Sequence, residues 1–302
     1  MNKTGQPSLI LAGRSSLPLY AAFFPVMAWA GNFVILRLAL RFYEPLALTA
    51  VRFLVIGLTV VYFGWPKLKL RVIASYAVLS AGGQYTLSTL AIYLGLSAGL
   101  ASLVMQAQVF IAALLGFVVL KERPFWGTLV GALFGFGGLV LLTLARGQTF
   151  SVSGFLVCLI AAACWAGSSL QLRVIQWKGL FSLQAASCLL ALPFVSALSW
   201  KLETEPFHRD AFVNHPTYAI GSILYMSLVS LFAAQTVWGR LLSERPVTTV
   251  APFALLIPVF GIALSYVFLG ERLFPVQVVS CALVLVGLIL HFVSVWRRGH
   301  HG

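Results

Sequence analysis

The chain carries one hydrophobic pattern twice, and this duplication constrains its fold more than any other feature. The tripeptide Trp-Ala-Gly at 29–31 returns 136 residues later at 165–167, and an arginine follows each glycine by six residues. The hexapeptide LKERPF at 120–125 returns 149 residues later as LGERLF at 269–274. Duplicated apolar units of this kind are typical of membrane proteins that are built from two structural repeats.

The composition indicates that lipid surrounds most of the chain. Hydrophobic residues make up 60% of the 302 positions, and charged residues make up only 9%. A soluble chain of this length cannot bury so much apolar surface, whereas stretches of about 20 apolar residues match the hydrocarbon core of a bilayer. We therefore predict an all-α integral membrane protein whose ten transmembrane spans, numbered 1 to 10, lie at about 18–38, 45–65, 72–96, 98–120, 125–145, 152–173, 180–200, 217–241, 247–269 and 274–296.

The basic residues predict how the spans are oriented. The net charge is +13, and with the N-terminus inside, 13 of the 20 lysines and arginines fall in cytoplasmic segments. Six fall in external segments, and one, Arg52, lies within a span. Because basic residues concentrate on the cytoplasmic side, both termini are expected in the cytoplasm. Short basic clusters between apolar runs suit anionic lipid headgroups, so we expect the lipid bilayer, and no nucleic acid, as a partner.

Each repeat holds five spans, and this odd number reverses the orientation of the second copy. We divide the chain into a cytoplasmic N-terminal segment, a first five-helix repeat, an inverted second repeat and a cytoplasmic tail, at 1–17, 18–147, 148–296 and 297–302. Inversion places the pairs Glu122-Arg123 and Glu271-Arg272 on opposite faces of the membrane. In this arrangement a cytoplasmic gate and an external gate are made from matching pieces.

These features resemble the drug/metabolite transporter superfamily, and within it the EamA-type ten-span permeases. The resemblance rests on Trp-Ala-Gly in spans 1 and 6, on Glu-Arg closing spans 4 and 9, and on three single residues, Pro258, Gly138 and Gly287. It covers about residues 18–296, and the order and duplication of the motifs carry it. Membership would imply export of small metabolites across a bacterial inner membrane. The overall sequence is most similar to bacterial aromatic amino-acid exporters.

The spans lack the groups that membrane enzymes and proton pumps require. No Asp or Glu lies in the middle of a predicted span, and the histidines and cysteines form no recognisable metal-binding or nucleophilic set. We therefore predict a protein that is not an enzyme and that needs no cofactor or metal. A buried carboxylate is also the usual proton relay and cation partner, so we expect transport without proton coupling.

Neutral polar and aromatic residues near the middle of the spans are the candidates for a substrate site. An amide or hydroxyl group in lipid needs a partner, so these side chains should face the interior of the bundle. The candidates are Trp29, Asn32, Gln84, Tyr85, Ser88, Gln108, Trp165, Ser168, Gln235 and Trp238. Hydrogen bonding between helices is the alternative role of each amide. For the two span-centre tryptophans, packing between the repeats is the alternative.

Two further features each have two interpretations. Arg52 lies seven residues, or roughly 10 Å at helical rise, into span 2. It either reaches outward or to a carbonyl of a neighbouring helix, or it contacts a substrate carboxylate. The glycines at 127, 131 and 135 form a face on span 5 that suits either packing inside the bundle or a dimer seam. A monomer and a homodimer therefore both stay open.

The candidates for gating are Glu122, Arg123, Pro258, Glu271 and Arg272. A carboxylate that pairs with a base only when its own side is closed would bias the access equilibrium. Glu122→Gln should then favour the inward-open state and Glu271→Gln the outward-open state. Anchoring at the membrane interface is the alternative role. Pro258 frees the carbonyl of Ala254, which can line a pathway or permit bending.

Together these features predict a transporter that exports small metabolites by alternating access. Amino acids, including aromatic ones, are the expected substrates, because tryptophan, tyrosine and amide side chains suit a small zwitterion that is partly apolar. Nucleosides, sugars or drug-like compounds are alternative substrates of the same cavity. A channel-like facilitator is the alternative from another class, because pores also use small polar rings.

Overall fold

The computed structural model of the protein describes residues 17–121, 126–143, 151–176, 179–245 and 247–299. Within these ranges the chain folds into helices and connecting loops, and the β contact that they contain is an isolated bridge between Tyr43 and Phe207. Nine helices in this part of the chain are long and apolar enough to cross a membrane. A tenth helical segment, 70–93, is richer in polar residues and completes the predicted set.

The spans begin and end within a few residues of their predicted limits. In chain order they are Leu19–Ala39, Pro45–Phe63, 70–93, Ala98–Leu120, Trp126–Thr143, Val152–Ile175, Leu180–Leu202, Pro216–Glu244, 247–269 and Pro275–Gly299. The long connection between spans 7 and 8 also contains a short helix, Arg209–Asn214. The prediction of an all-α membrane protein with two inverted five-helix repeats is confirmed.

The two repeats interlock rather than lie side by side. The most extensive contacts between helices join spans of different repeats: 5 with 10, 2 with 7, 4 with 9, 1 with 9, and 3 or 4 with 6. Spans 2, 4 and 5 thus each pack on their own counterpart, five spans later. A motion that separated one whole repeat from the other would break most of these contacts.

Spans 3 and 8, which are equivalent in the two repeats, each contain a π-helical segment. The segments are Val78–Tyr85 and Tyr225–Ala233. A π-helical turn holds one residue more than an α-helical turn, so it shifts the face that later side chains present, and it is frequent at functional sites. The second segment also explains a glycine of the repeated tripeptide. An added Cβ atom at Gly31 would lie 2.7 Å from the Tyr225 hydroxyl oxygen, so glycine lets span 1 approach the end of that side chain without displacing it.

Two glutamates close the membrane face opposite the chain termini. Glu203, at the end of span 7, accepts hydrogen bonds from the backbone N–H groups of Leu46 and Ala47 at 2.6 and 2.9 Å. Glu271, after span 9, accepts from Ala98 and Gly99 at 3.0 and 3.1 Å. Each carboxylate thereby caps the first turn of a helix in the other repeat, where free N–H groups and the helix dipole favour negative charge. These contacts bind the two repeats together at one face.

The glycine face of span 5 packs inside the protomer. An added Cβ atom at Gly131 would lie 2.5 Å from the carbonyl oxygen of Gly287 and 3.0 Å from the backbone nitrogen of His291, both on span 10. Small residues therefore let the backbones of spans 5 and 10 approach closely, as is common in membranes. The interpretation as packing within the bundle accounts for the whole face, and a dimer seam is not needed to explain it.

We predict that Gly131→Ala lowers the thermal midpoint of the purified protein, because the new methyl group meets rigid backbone atoms. Overpacking of this kind costs about 1–3 kcal/mol. Gly137→Ala on the same helix is the matched control, because its Cβ would meet nothing within 4 Å. Differential scanning fluorimetry in detergent measures both. Equal midpoints for Gly131→Ala and the parent protein would contradict the packing described here.

Candidate functional site

A cavity of about 390 Å³ lies near the middle of the bundle, and the residues predicted for the substrate site form part of its wall. All ten residues predicted for the substrate site line it, and they come from spans 1, 3, 4, 6 and 8. Both repeats therefore contribute to one cavity. Contact of these ten residues with a substrate stays a prediction, but the structure brings every one of them to the same space.

The cavity extends toward the membrane face that carries the chain termini. Leu172, Leu180 and Phe181, at the ends of spans 6 and 7 on that face, line one end of it. The residues that line the other end, such as Ser88 and Ser102, still lie within their spans. Beyond them is the face where the two glutamates cap spans 2 and 4. The lining thus reaches the first residue of span 7 on the face of the termini, whereas on the other face it stops four residues after the start of span 4.

Trp29 is held in place by the opposite repeat. Its indole N–H donates to the backbone carbonyl of Ser230 at 2.9 Å, and its ring packs edge-on against Trp238 with the centroids 5.4 Å apart. Ser230 belongs to the π-helical segment of span 8. Trp29 therefore combines the two roles considered for it, because it joins the repeats and also lines the cavity.

Trp165, the repeat counterpart of Trp29, differs in its hydrogen bonding. It lines the cavity and is half-buried, and its indole N–H makes no hydrogen bond to another described residue, although it is not one of the fully buried atoms that lack a partner. An indole N–H in an apolar environment usually has a hydrogen-bond partner. Trp165 is consequently the better candidate for a ring that contacts a bound molecule.

The carbonyl of Ala254, which Pro258 in span 9 was predicted to free, contacts a side chain of span 4. The side-chain nitrogen of Gln106 lies 3.4 Å from the carbonyl oxygen of Ala254, the carbonyl that Pro258 was expected to free. Both Gln106 and Ala254 line the cavity, and Pro258 is buried. An amide of span 4 in the first repeat thus reaches the irregular start of span 9 in the second.

Several lining residues were absent from the predicted set, and span 7 supplies one of the most polar. Gln184 is buried, and its side-chain oxygen accepts from the hydroxyl groups of Ser80 at 3.2 Å and Tyr76 at 3.4 Å. Ser80 and Tyr85 are five residues apart, and the π-helical turn puts both on the cavity wall. Ser80 had a sequence signal that the predicted set left out, because it lies four residues before Gln84 and so on the same face of an α-helix.

Arg52 also lines the cavity, and only 4% of its surface is exposed. Its Nη2 lies 3.4 Å from the carbonyl oxygen of Met226, and its guanidinium carbon lies 4.7 Å from the centre of the Tyr85 ring. This burial excludes the interpretation in which the Arg52 side chain reaches outward. A long contact with a neighbouring carbonyl is observed, and contact with a substrate carboxylate stays open.

Only some of the gating candidates lie within the described residues. Glu122 and Arg123 lie outside the described residues. Glu271 pairs with backbone amides instead of a base, and Arg272 is exposed. The reason is that span 4 begins beside Glu271 and offers free N–H groups, which satisfy a carboxylate without a basic side chain. Its position still links two repeats at one face, as a gate would require.

The described residues of the cavity wall are uncharged apart from one arginine. Among the described residues that line the cavity, none is Asp, Glu, Lys or His, and Arg52 is the one charged side chain. The described residues also contain no group of three or more His, Cys, Asp or Glu side chains that could hold a metal ion. The site can bind polar and aromatic groups, and its charge favours an anionic group over a cationic one.

We predict that Trp165→Ala weakens binding of a ring-bearing molecule such as phenylalanine more than binding of alanine. The aromatic contact is worth about 0.5–1.5 kcal/mol beyond area burial, which corresponds to roughly 2- to 13-fold in affinity. Trp200→Ala is the matched control, because Trp200 is 87% exposed on the lipid-facing surface. Titration of the purified protein measures both ligands. Unchanged affinity for phenylalanine in Trp165→Ala would remove this residue from the site.

Comparison with known proteins agrees with this architecture. A "Probable amino-acid metabolite efflux pump" of Salmonella typhimurium strain LT2 is 34% identical over 280 residues, which cover 90% of this chain and 93% of that protein. A protein of the same name from Escherichia coli K12 is 32% identical over 92% of this chain and 95% of its own length. A "Probable terminal-alkyne amino-acid exporter" of Streptantibioticus cattleyicolor is 23% identical over 91% of this chain and 93% of its own length.

The fold and the family are also matched directly. A crystal structure superposes with a TM-score of 0.64 at 18% identity, covering 93% of this chain and 97% of the other, and it supports the fold alone. The EamA-like transporter family matches two segments, residues 16–144 and 152–293. The family and the names of the relatives support a membrane exporter of small metabolites rather than an enzyme. The chain belongs to the EamA-like transporter family.

Proposed function

We propose that the small metabolites that this protein exports are amino acids, including aromatic ones, and that export from the cytoplasm occurs by alternating access. The observation that carries the proposal is one cavity between two inverted repeats, lined by tryptophan, tyrosine, amide and hydroxyl side chains. Aromatic rings and a single positive charge suit a small zwitterion with an apolar side chain. The names of the two relatives above 30% identity are consistent with this substrate class.

The depth of the cavity supports an inward-facing state. With both termini in the cytoplasm of a bacterial cell, the open end of the cavity faces the cytoplasm, and the closed face carries Glu203 and Glu271. An amino acid would enter from the cytoplasm and reach the aromatic wall near the midplane. Export then requires the capped face to open while the cytoplasmic end closes.

The interlocked packing favours bending of helices over rocking of whole repeats. Spans 2, 4 and 5 pack on their counterparts, so these pairs should stay together. The π-helical segments of spans 3 and 8 and the 3₁₀ turn Ala251–Leu255 before Pro258 are places where backbone hydrogen bonds rearrange at low cost. We place the moving joints there. Such bending differs from a motion in which two rigid five-span units rock about the cavity.

The closed face also argues for a carrier over a channel-like facilitator. A pore needs a continuous path, whereas here two carboxylate caps and the Tyr43–Phe207 bridge cross the face opposite the open end. Nucleosides and sugars would also fit the amides of the wall, but the lone positive charge offers them no partner. For cationic drugs, the described lining residues offer no carboxylate as a binding partner.

Transport by purified protein in liposomes tests the proposal. We expect saturable uptake of phenylalanine, acceleration by phenylalanine on the far side, and weaker transport of adenosine and glucose. Because no described lining residue is a carboxylate, a pH step alone should not drive accumulation. Uptake that rises linearly with concentration and shows no counterflow would instead indicate a channel. Accumulation driven by the pH step would overturn the expected lack of proton coupling.

We further predict that Glu271→Gln shifts the access equilibrium toward the state that is open on the capped face. The neutral amide loses the charge–dipole attraction to the start of span 4, worth about 0.3–1 kcal/mol, or roughly 2- to 5-fold in the equilibrium. A cysteine at Ser169, a half-buried residue of the cavity wall, would be labelled with an impermeant maleimide from each side, in a background without the four native cysteines.

Glu205→Gln is the matched control for this prediction. It removes the same charge from an exposed position in the connection between spans 7 and 8, near the same face. The access prediction requires faster labelling from the capped side in Glu271→Gln and an unchanged rate in Glu205→Gln. Slower labelling from that side, or equal effects of the two substitutions, would leave Glu271 with an anchoring role only.

A further inference from the structure

Arg52 is a buried charge that has no counter-charge among the described residues. It lies seven residues after Pro45, the first residue of span 2, which is roughly 10 Å of helix from the capped face. Only 4% of its surface is exposed, and no described carboxylate forms an ion pair with it. A charge held in this way inside a membrane protein is costly and is usually found at a functional position.

The contacts of Arg52 orient its guanidinium group but do not neutralise it. The contact with Met226 is 3.4 Å, longer than the 2.7–3.2 Å typical of N–H···O bonds in proteins. The Nε atom is buried without any partner among the described residues, and the Tyr85 ring supports one face of the group. The contact with Met226 is thus the one hydrogen bond that the five N–H donors of this side chain make with the described residues.

The surroundings of Arg52 point to the missing partner. The residue lines the cavity, together with the aromatic wall and the Gln184 network, and it is the single charged side chain among the described lining residues. A planar guanidinium group matches a carboxylate with two parallel hydrogen bonds. One arginine balances one negative charge, so a carboxylate suits it better than a phosphate monoester, which carries up to two.

We propose that Arg52 binds the carboxylate of the transported molecule and makes the cavity selective for carboxylic acids over their neutral amides. The proposal rests on the proposed function insofar as the acids are amino acids, and it names the group that the site recognises. The Tyr85 ring and the Met226 carbonyl position the guanidinium group before the substrate arrives. The competing explanation is a purely structural role, in which Arg52 only fastens span 2 to span 8.

Binding to matched pairs of acids and amides separates these explanations. The pairs are phenylalanine with phenylalaninamide, and 3-phenyllactate with 3-phenyllactamide, titrated against the full-length protein in detergent. The parent protein should bind each acid more tightly than its amide. Arg52→Gln should weaken acid binding by about 10- to 100-fold, as expected for loss of hydrogen bonds between charged groups, and should leave amide binding nearly unchanged.

Two further variants keep the test informative. Arg52→Lys retains the charge but lacks the planar fork, so it should still prefer acids, with an affinity between those of the parent and Arg52→Gln. It also serves if Arg52→Gln does not fold. Arg41→Gln removes an exposed arginine between spans 1 and 2 and should bind all four compounds like the parent.

The outcomes distinguish this proposal from the proposed function. If the parent prefers 3-phenyllactate to its amide through Arg52 but does not bind phenylalanine, the carboxylate subsite stands and the amino-acid assignment fails. If phenylalanine is bound and transported but the parent does not discriminate acids from amides, the subsite fails alone. Equal losses for acids and amides in the Arg52 variants would assign the residue a structural role. Failure of the parent to bind either acid would overturn both proposals.

Discussion

A polar group inside a bilayer must find its partner within the protein, and the rest of this structure depends on that constraint. The carboxylates of Glu203 and Glu271 lie where spans 2 and 4 begin and bind N–H groups that have no partner within their own helix. The carbonyls of Met226 and Ser230, in the π-helical part of span 8, accept from Arg52 and Trp29. These contacts cross from one repeat to the other, so satisfying the polar groups also assembles the two repeats.

This way of assembling the bundle places polar groups around a cavity rather than at the lipid surface. Spans 5 and 10 pack through small residues and carry little polar chemistry, whereas spans 3 and 8 carry the π-helical segments beside the cavity. Neutral side chains satisfy one another there, as in the Gln184 network. Two lining residues are exceptions, because the side-chain oxygen of Asn32 and the Nε atom of Arg52 are buried without a partner among the described residues. The charge of Arg52 is the group that we propose binds a molecule that enters the cavity.

The sequence predicted the fold well because duplication, apolar length and basic residues are properties of the chain alone. It also predicted ten residues of the cavity wall, since polar side chains at mid-span must face inward. It missed Ser80, although an α-helical period places that residue on the face of Gln84. It also missed Gln184, because a single sequence does not give the rotation of span 7. It anticipated a base as the partner of Glu271, whereas the partner is a helix start, which depends on where two distant segments meet. Fold-level features follow from the pattern, but pairings between distant segments require the packing.

Distances at both ends of spans 3 and 8 test alternating access most directly. Exposed Arg71 and Ser243 lie at the ends of these spans on the face of the termini, and exposed Leu94 and Tyr218 lie near their opposite ends. Cysteine spin labels on each pair, measured by pulsed electron resonance with and without phenylalanine, report both faces of one molecule. The account predicts that phenylalanine shortens the 71–243 distance and lengthens the 94–218 distance. Changes of the same sign at both faces, or no change at either face with phenylalanine bound, would contradict it.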